Sequence, residues 1–190
     1  MRPRNLFMVL AAVAALGFPA TASGFYTYFD FARQSNLSST LTMVWQQVPG
    51  RFSTVSWRAG SGTSTDACWI GHGWLPTGWY DLNGHWNNYG GDIQGRVFYL
   101  QNKQCWNGTW RTQLFIHSEE TAGQGQYCPT SGDDPYCWDG EFDYYSNGCI
   151  KVSRAGNPSD LRLVHDGWHN KSGDYRHGSF WINDWLYVHD

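Results

Sequence analysis

The chain has 190 residues, 41% of them apolar and only 15% charged, with a formal charge of −3 at pH 7. Its 12 Trp, 11 Tyr, 10 Phe and 22 Gly exclude a disordered charged tail, which lacks rings, and a coiled coil, which needs runs of Ala, Glu, Lys and Leu. No basic cluster is present to meet a phosphate backbone, so nucleic acid is excluded as the main partner. A single mainly β domain with a sizeable core remains.

The first 22 residues form an address. Arg2 and Arg4 precede an apolar run from Leu6 to Phe18, and Ala20-Thr21-Ala22 supplies a small-x-small cleavage site. The run is shorter than the ~20 residues that span a bilayer, so no permanent membrane anchor is expected. The mature chain is then mildly acidic and exported. Residues 23–65 read as a lead-in that can join the sheet, and 66–190 as the main domain.

Strand-like runs follow at Leu41–Trp45, Phe52–Trp57, Gly78–Leu82, Arg96–Leu100, Thr112–His117, Cys149–Ser153 and Phe180–His189. Turn chemistry separates them at Gly60-Ser61-Gly62, Asn83-Gly84, Gly90-Gly91 and Asn107-Gly108. One helix is expected, with Asn157 as N-cap, Pro158 in its first position, Leu161 and Val164 on one face, and an end near Gly167.

Five cysteines, Cys68, Cys105, Cys128, Cys137 and Cys149, leave one thiol over after pairing in an oxidising compartment. The pairing itself is open. A polar Gly- and Pro-bearing stretch between Cys128 and Cys137 suits a small closed loop, stabilised by roughly 3 kcal/mol in the chain-entropy picture. Cys68 and Cys105 are then the second pair, and Cys149 is free.

That free thiol has a partner in the pattern. An apolar strand, Thr112-Gln113-Leu114-Phe115-Ile116-His117-Ser118, ends in a histidine, and Ser146-Asn147-Gly148-Cys149-Ile150-Lys151 carries a cysteine out of a Gly turn. A nucleophilic thiol needs a base to take its proton and backbone N–H groups that converge on the reacting oxygen, and a nearby imidazole raises the thiolate fraction.

This order, His…Ser-x-Gly-Cys followed by an apolar and a basic residue, resembles the L,D-transpeptidase family of the YkuD type, which acts on bacterial peptidoglycan. The resemblance spans roughly Asp66 to Ser153, including Gly73-Trp74-Leu75-Pro76-Thr77-Gly78-Trp79-Tyr80 and Arg96-Val97-Phe98-Tyr99-Leu100. It implies a YkuD-like β-rich catalytic domain with one or two short helices. It also implies Cys149 as nucleophile, His117 as base and the Ser118 carbonyl as orienter of the imidazole. Backbone N–H groups of Asn147, Gly148 and Cys149 would form the oxyanion hole, with Ser146 holding the turn. The chain departs from the family in two places. Asn147 stands where a histidine is usual, and the 28 residues from 118 to 145 are about twice the usual gap.

The implied reaction is acyl transfer from a tetrapeptide stem through a Cys149 thioester to an amine, forming a 3→3 cross-link. Water in place of the amine gives an L,D-carboxypeptidase. No cofactor or metal is called for, the partners are peptidoglycan stem peptides, and the protein is expected to act as a monomer in the cell wall or periplasm of a bacterium. A secreted, aromatic-rich cell-wall- or glycan-binding module without catalysis is the competing class.

Lys151, and less strongly Arg154, are candidates for a stem carboxylate. Glu119, Glu120, Asp139, Glu141 and Asp143 read as a solvated acidic loop. Trp138 and Tyr144 read as an exposed substrate-contacting surface, whereas most of Trp69, Trp74, Trp79, Trp86, Trp181 and Trp185 read as core. His72, His85 and His177 read as loop residues. His165 and His169 have metal-ligand spacing, but Gly167 is expected to break their helix and no third ligand is evident.

Overall fold

The computed structural model describes residues 27–129, 134–171 and 185–190. Among these residues ten strands run in chain order. They are β1 (Thr27–Ala32), β2 (Ser39–Val48), β3 (Arg51–Ser61), β4 (Gly78–Gly90), β5 (Gln94–Leu100), β6 (Lys103–Gln104), β7 (Trp110–Arg111), β8 (Phe115–His117), β9 (Ile150–Val152) and β10 (Trp185–His189). A 3₁₀ turn spans Glu141–Tyr144, and the helix α1 spans Asp160–Lys171.

Eight of the strands close a barrel in the order β1-β10-β4-β5-β8-β9-β3-β2, while β6 and β7 form a separate two-stranded ribbon. Most neighbours are antiparallel. The exceptions are β1–β10 and β8–β9, which run parallel. The segment read as a lead-in therefore supplies three barrel strands, β1 to β3. The expected export signal lies outside the described residues. Among the described residues no helix is long and apolar enough to cross a membrane.

Strand alternation sets the core. Successive side chains point to opposite faces, so Phe29 and Phe31, Leu41 and Met43, Phe98 and Leu100, Leu186 and Val188 all turn inward. Ile116 of β8 and Ile150 of β9 meet in register inside. From α1, Val164 and Trp168 join this core, and Trp168 stacks on Phe29 with ring centroids 4.6 Å apart.

Several boundaries differ from the sequence reading for physical reasons. The helix starts at Asp160, because residues 156–159 form a bridged turn and the Ser159 Oγ accepts the Arg162 N–H at 3.3 Å. Gly167 does not end it. A Cβ there would sit 2.9 Å from Met43 Cε, so glycine lets the helix lie against β2 while it runs on. Asn83-Gly84 is no turn but a register irregularity inside β4. The strand expected from Thr112 shortens to Phe115–His117, since Gln113 takes a left-handed φ of 54° that leaves the ladder. The expected strand at 180–184 and Trp181 lie outside the described residues.

The tryptophans are also redistributed. Trp69, Trp79 and Trp86 are exposed, not core. The fully buried Trp168 of α1 takes the central place instead.

Candidate functional site

Strand parity brings the chemistry together. Because Ile116 and Ile150 face the core, His117, Lys151 and Cys149 turn to the outer face of the β8–β9 pair. His117 lies directly opposite Lys151 in the parallel register. Cys149 packs there in a small apolar cluster with Val97 and Phe115. The segments around 118–125 and 140–147 overlie this face, so Cys149 and His117 are only 6% and 7% exposed. A cavity of about 390 Å³ reaches them, lined by Thr63, Ile93, His117, Phe142, Tyr145, Ser146, Asn147, Cys149 and Lys151.

His117 Nδ1 lies 3.0 Å from the Ser118 carbonyl oxygen. With Nδ1 protonated to make that bond, Nε2 is left as the basic nitrogen. Burial, reinforced by the charge of Lys151, holds the imidazole down to about 3, against the opposing pull of the Ser118 carbonyl. Burial pushes the Cys149 thiol up to about 11, while a backbone hydrogen bond with Phe115 and the charges of Lys151 and Arg111 pull it down. Both groups rest neutral. Desolvation is the largest cause at both groups. The thiol itself donates to the Gln113 carbonyl oxygen at 3.7 Å.

The turn before Cys149 is held from several sides. Ser146 Oγ accepts the N–H groups of Gly62 at 2.9 Å and Gly148 at 3.1 Å, and donates to the Cys149 carbonyl at 2.7 Å. Gly148 has a φ of 114°, a conformation that disfavours any side chain. The Gly148 N–H is thereby committed to Ser146 and does not point into the cavity as a free donor.

Charged residues around the cavity are paired rather than solvated. Lys151 Nζ is ion-paired with Glu119, a residue 2% exposed. Glu120 is also buried and bridges Arg96 at 2.8 Å and Arg154 at 3.0 Å. Arg154 is thereby committed to the loop, donating also to the Gln124 carbonyl at 3.1 Å. Asp143 is buried as well, accepting N–H groups from Asp139 and Gly140. The acidic segment is thus largely structural, with Asp139 and Glu141 exposed.

Two expected contact residues do not reach the cavity. Tyr144 is 7% exposed, packed edge-on to Trp138 at 4.8 Å and under the Arg58 guanidinium at 4.3 Å. Trp138 is half-buried by the same contact. Their neighbours Phe142 and Tyr145 line the cavity instead. Polar surroundings in the sequence made any ring there look exposed, and only the 3₁₀ turn decides which rings face outward.

Of the cysteines, Cys128 and Cys137 form a disulfide. Cys68 and Cys105 do not, which corrects their expected pairing; both are buried thiols, joined by a side-chain hydrogen bond. Cys105 Sγ also donates to the Ala67 carbonyl at 3.4 Å.

His165 and His169 do share a continuous helix, and His85 of β4 packs against both, with centroids 5.8 and 4.6 Å away. This corrects the expected helix break and the loop placement of His85. Among the described residues, no group of three or more His, Cys, Asp or Glu is arranged to hold a metal ion.

Two contributors carried no sequence signal. Gln113 matters through its carbonyl and its φ, and Arg111 through contacts made by folding alone. A larger hollow of about 680 Å³ lies on the opposite arc of the barrel, between Tyr28, Asp30, Val44, Phe52, Trp79, Trp185 and Tyr187. A scan against protein-family models and a search of curated proteins give no match for this chain.

Proposed function

We propose that this protein is an exported cysteine acyltransferase acting on peptidoglycan stem peptides, an L,D-transpeptidase resembling the YkuD type. One observation carries the reading. Two paired parallel strands deliver Cys149 and His117 to a single cavity, with the imidazole anchored through Nδ1 on the Ser118 carbonyl.

Because thiol and imidazole rest neutral, attack and proton transfer are one coupled step. The Cys149 sulfur attacks the carbonyl after the third stem residue while its proton passes to His117 Nε2. The N–H groups of Asn147 and Cys149 receive the negative charge that builds on the oxygen. His117 then gives the proton to the departing amine of the terminal D-amino acid. An amine from a neighbouring stem attacks the thioester, loses its proton through His117 and releases the thiol. Water in its place makes the same site an L,D-carboxypeptidase. Lys151, held at the cavity wall by Glu119, is the cation for a stem carboxylate.

The test is intact mass after exposure to a carbapenem, a class that acylates the nucleophile of the family resembled. One adduct on the parent and none on Cys149→Ala is the expected result. No adduct on folded parent protein sinks the reading. Incorporation of a labelled D-amino acid then separates transfer from hydrolysis.

A second reading, a secreted glycan-binding module, has its own observation in the outer hollow. Trp79 is 44% exposed there and stacks on Tyr187 at 4.6 Å, with Asp30 beside them for hydroxyl groups. Removal of a stacking ring weakens such binding by about tenfold. Retention of Trp79→Ala on insoluble peptidoglycan equal to that of the parent would remove this reading.

A further inference from the structure

The geometry points to Arg111 as the positioning residue of the nucleophile turn, fixing the peptide plane between Asn147 and Gly148 and with it the placement of the Cys149 sulfur. This rests on Cys149 being the nucleophile. Arg111 is 2% exposed, at the end of the small β6–β7 ribbon. Its Nη2 donates to the carbonyls of Gly73 at 3.0 Å and Asn147 at 3.1 Å. Its Nη1 donates to the carbonyls of Ala67 and, at 3.5 Å, Trp74.

Main-chain oxygens thus solvate this cation. Among the described residues no carboxylate is ion-paired with it. A buried charge without a counter-ion is expensive, and an apolar side chain would fill the space without that cost. What only a guanidinium supplies is the fork that ties the 67–74 loop to the peptide just before Gly148. A trans peptide points its C=O and N–H in opposite directions. Arg111 takes the C=O of this one, and Ser146 Oγ takes its N–H. Both polar ends of a single peptide are therefore fixed, two residues from the sulfur. The same contact explains the glycine, because a Cβ at 148 would lie 1.9 Å from Nη2.

The charge reaches the sulfur as well. Around Cys149 stand His117 from β8, Lys151 from β9 with its partner Glu119, and Arg111 from β7. On the far side of Arg111 lie Cys68, Cys105 and Asp66. Arg111 and Lys151 both favour the thiolate.

The experiment compares the mature parent with Arg111→Met and Arg111→Lys. The readouts are the iodoacetamide alkylation rate of Cys149 across pH, the carbapenem acylation rate, and thermal midpoints. Val164→Ala, a core change away from the site, controls for general loss of stability. Arg111→Met is expected to slow alkylation at pH 8 by about tenfold, the effect of raising the thiol by one pH unit. Arg111→Lys keeps the charge and restores that rate, but cannot span the Gly73 and Asn147 carbonyls together. Its acylation rate therefore stays at least about tenfold below the parent's, one misplaced contact being enough for such a loss. Val164→Ala lowers the midpoint and leaves both rates unchanged.

Should Arg111→Met fail to fold, Arg111→Lys decides: parent-like acylation overturns the proposal. Parent-like alkylation and acylation in a folded Arg111→Met also overturns it. If the parent itself is not acylated, the transpeptidase reading fails, and the alkylation profile still judges Arg111.

Discussion

Two imidazoles are buried without charge. His117 is held down to about 3 by burial and then by Lys151, and His165 to about 3 by burial, His169, His85 and Arg96. In the unfolded chain each titrates near the ordinary 6.5. Folded values below unfolded ones mean that the unfolded state binds more protons between them. Stability is therefore complete above about pH 6.5 and is lost as the pH falls toward 3. His189 works in the opposite sense, raised by the Asp190 carbonyl and Asp30, and its contribution fades only as the pH rises through its folded value. The urea midpoint is expected to fall steadily from pH 7 to pH 5, above most of the carboxylate range. In His165→Leu that slope should shrink by at least about half, because one of the two rings that favour high pH is gone while His189 still opposes the other. A midpoint that stays flat over this interval contradicts the buried neutral state of both rings.

Elements show where the sequence was legible and where it was not. Alternation revealed the inner strands well, because Leu41 and Met43, or Phe98 and Leu100, repeat with the period of a half-buried strand. β1 was missed although Phe29 and Phe31 alternate with Tyr28 and Asp30, since flanking rings blurred the contrast. The pattern around Cys149 and His117 was readable as local sequence. That the two strands pair in parallel, so that both side chains share one face, was not. Such pairing is a long-range fact with no local code. The tight φ of Gln113 and the buried acids Glu119 and Glu120 were hidden for the same reason: their partners lie far along the chain. The helix was foreseen, but its weight came from Trp168 rather than from Leu161 and Val164 alone. Trp168→Ala removes a ring stacked on Phe29 and edge-on to Phe98 at 5.7 Å. The expected loss is about 3–5 kcal/mol in urea unfolding, the range for deleting a large buried ring. A loss below about 1 kcal/mol would mean that α1 is not part of the core.

At the scale of the molecule, the site depends on a sheet without edges. Closure protects every barrel strand from pairing with another chain and gives β8 and β9, only three residues each, neighbours on both sides. Short strands carry few hydrogen bonds of their own, so their position comes from β5 and β3, which flank them. The outer aromatic hollow and the cysteine cavity lie on different arcs of this ring, one lined from β1, β2, β3, β4 and β10, the other centred on β8 and β9. The ring closes where β1 meets β10 in parallel, Tyr28 beside Trp185 and Ala32 beside His189. A ribosome makes β1 first and β10 some 150 residues later. Until β10 emerges, β1 and β4 each wait with an open seam, and no shorter nascent chain can complete the cylinder. Assembly of the barrel therefore waits for β10, and the chain remains a threadable, unclosed polymer until then.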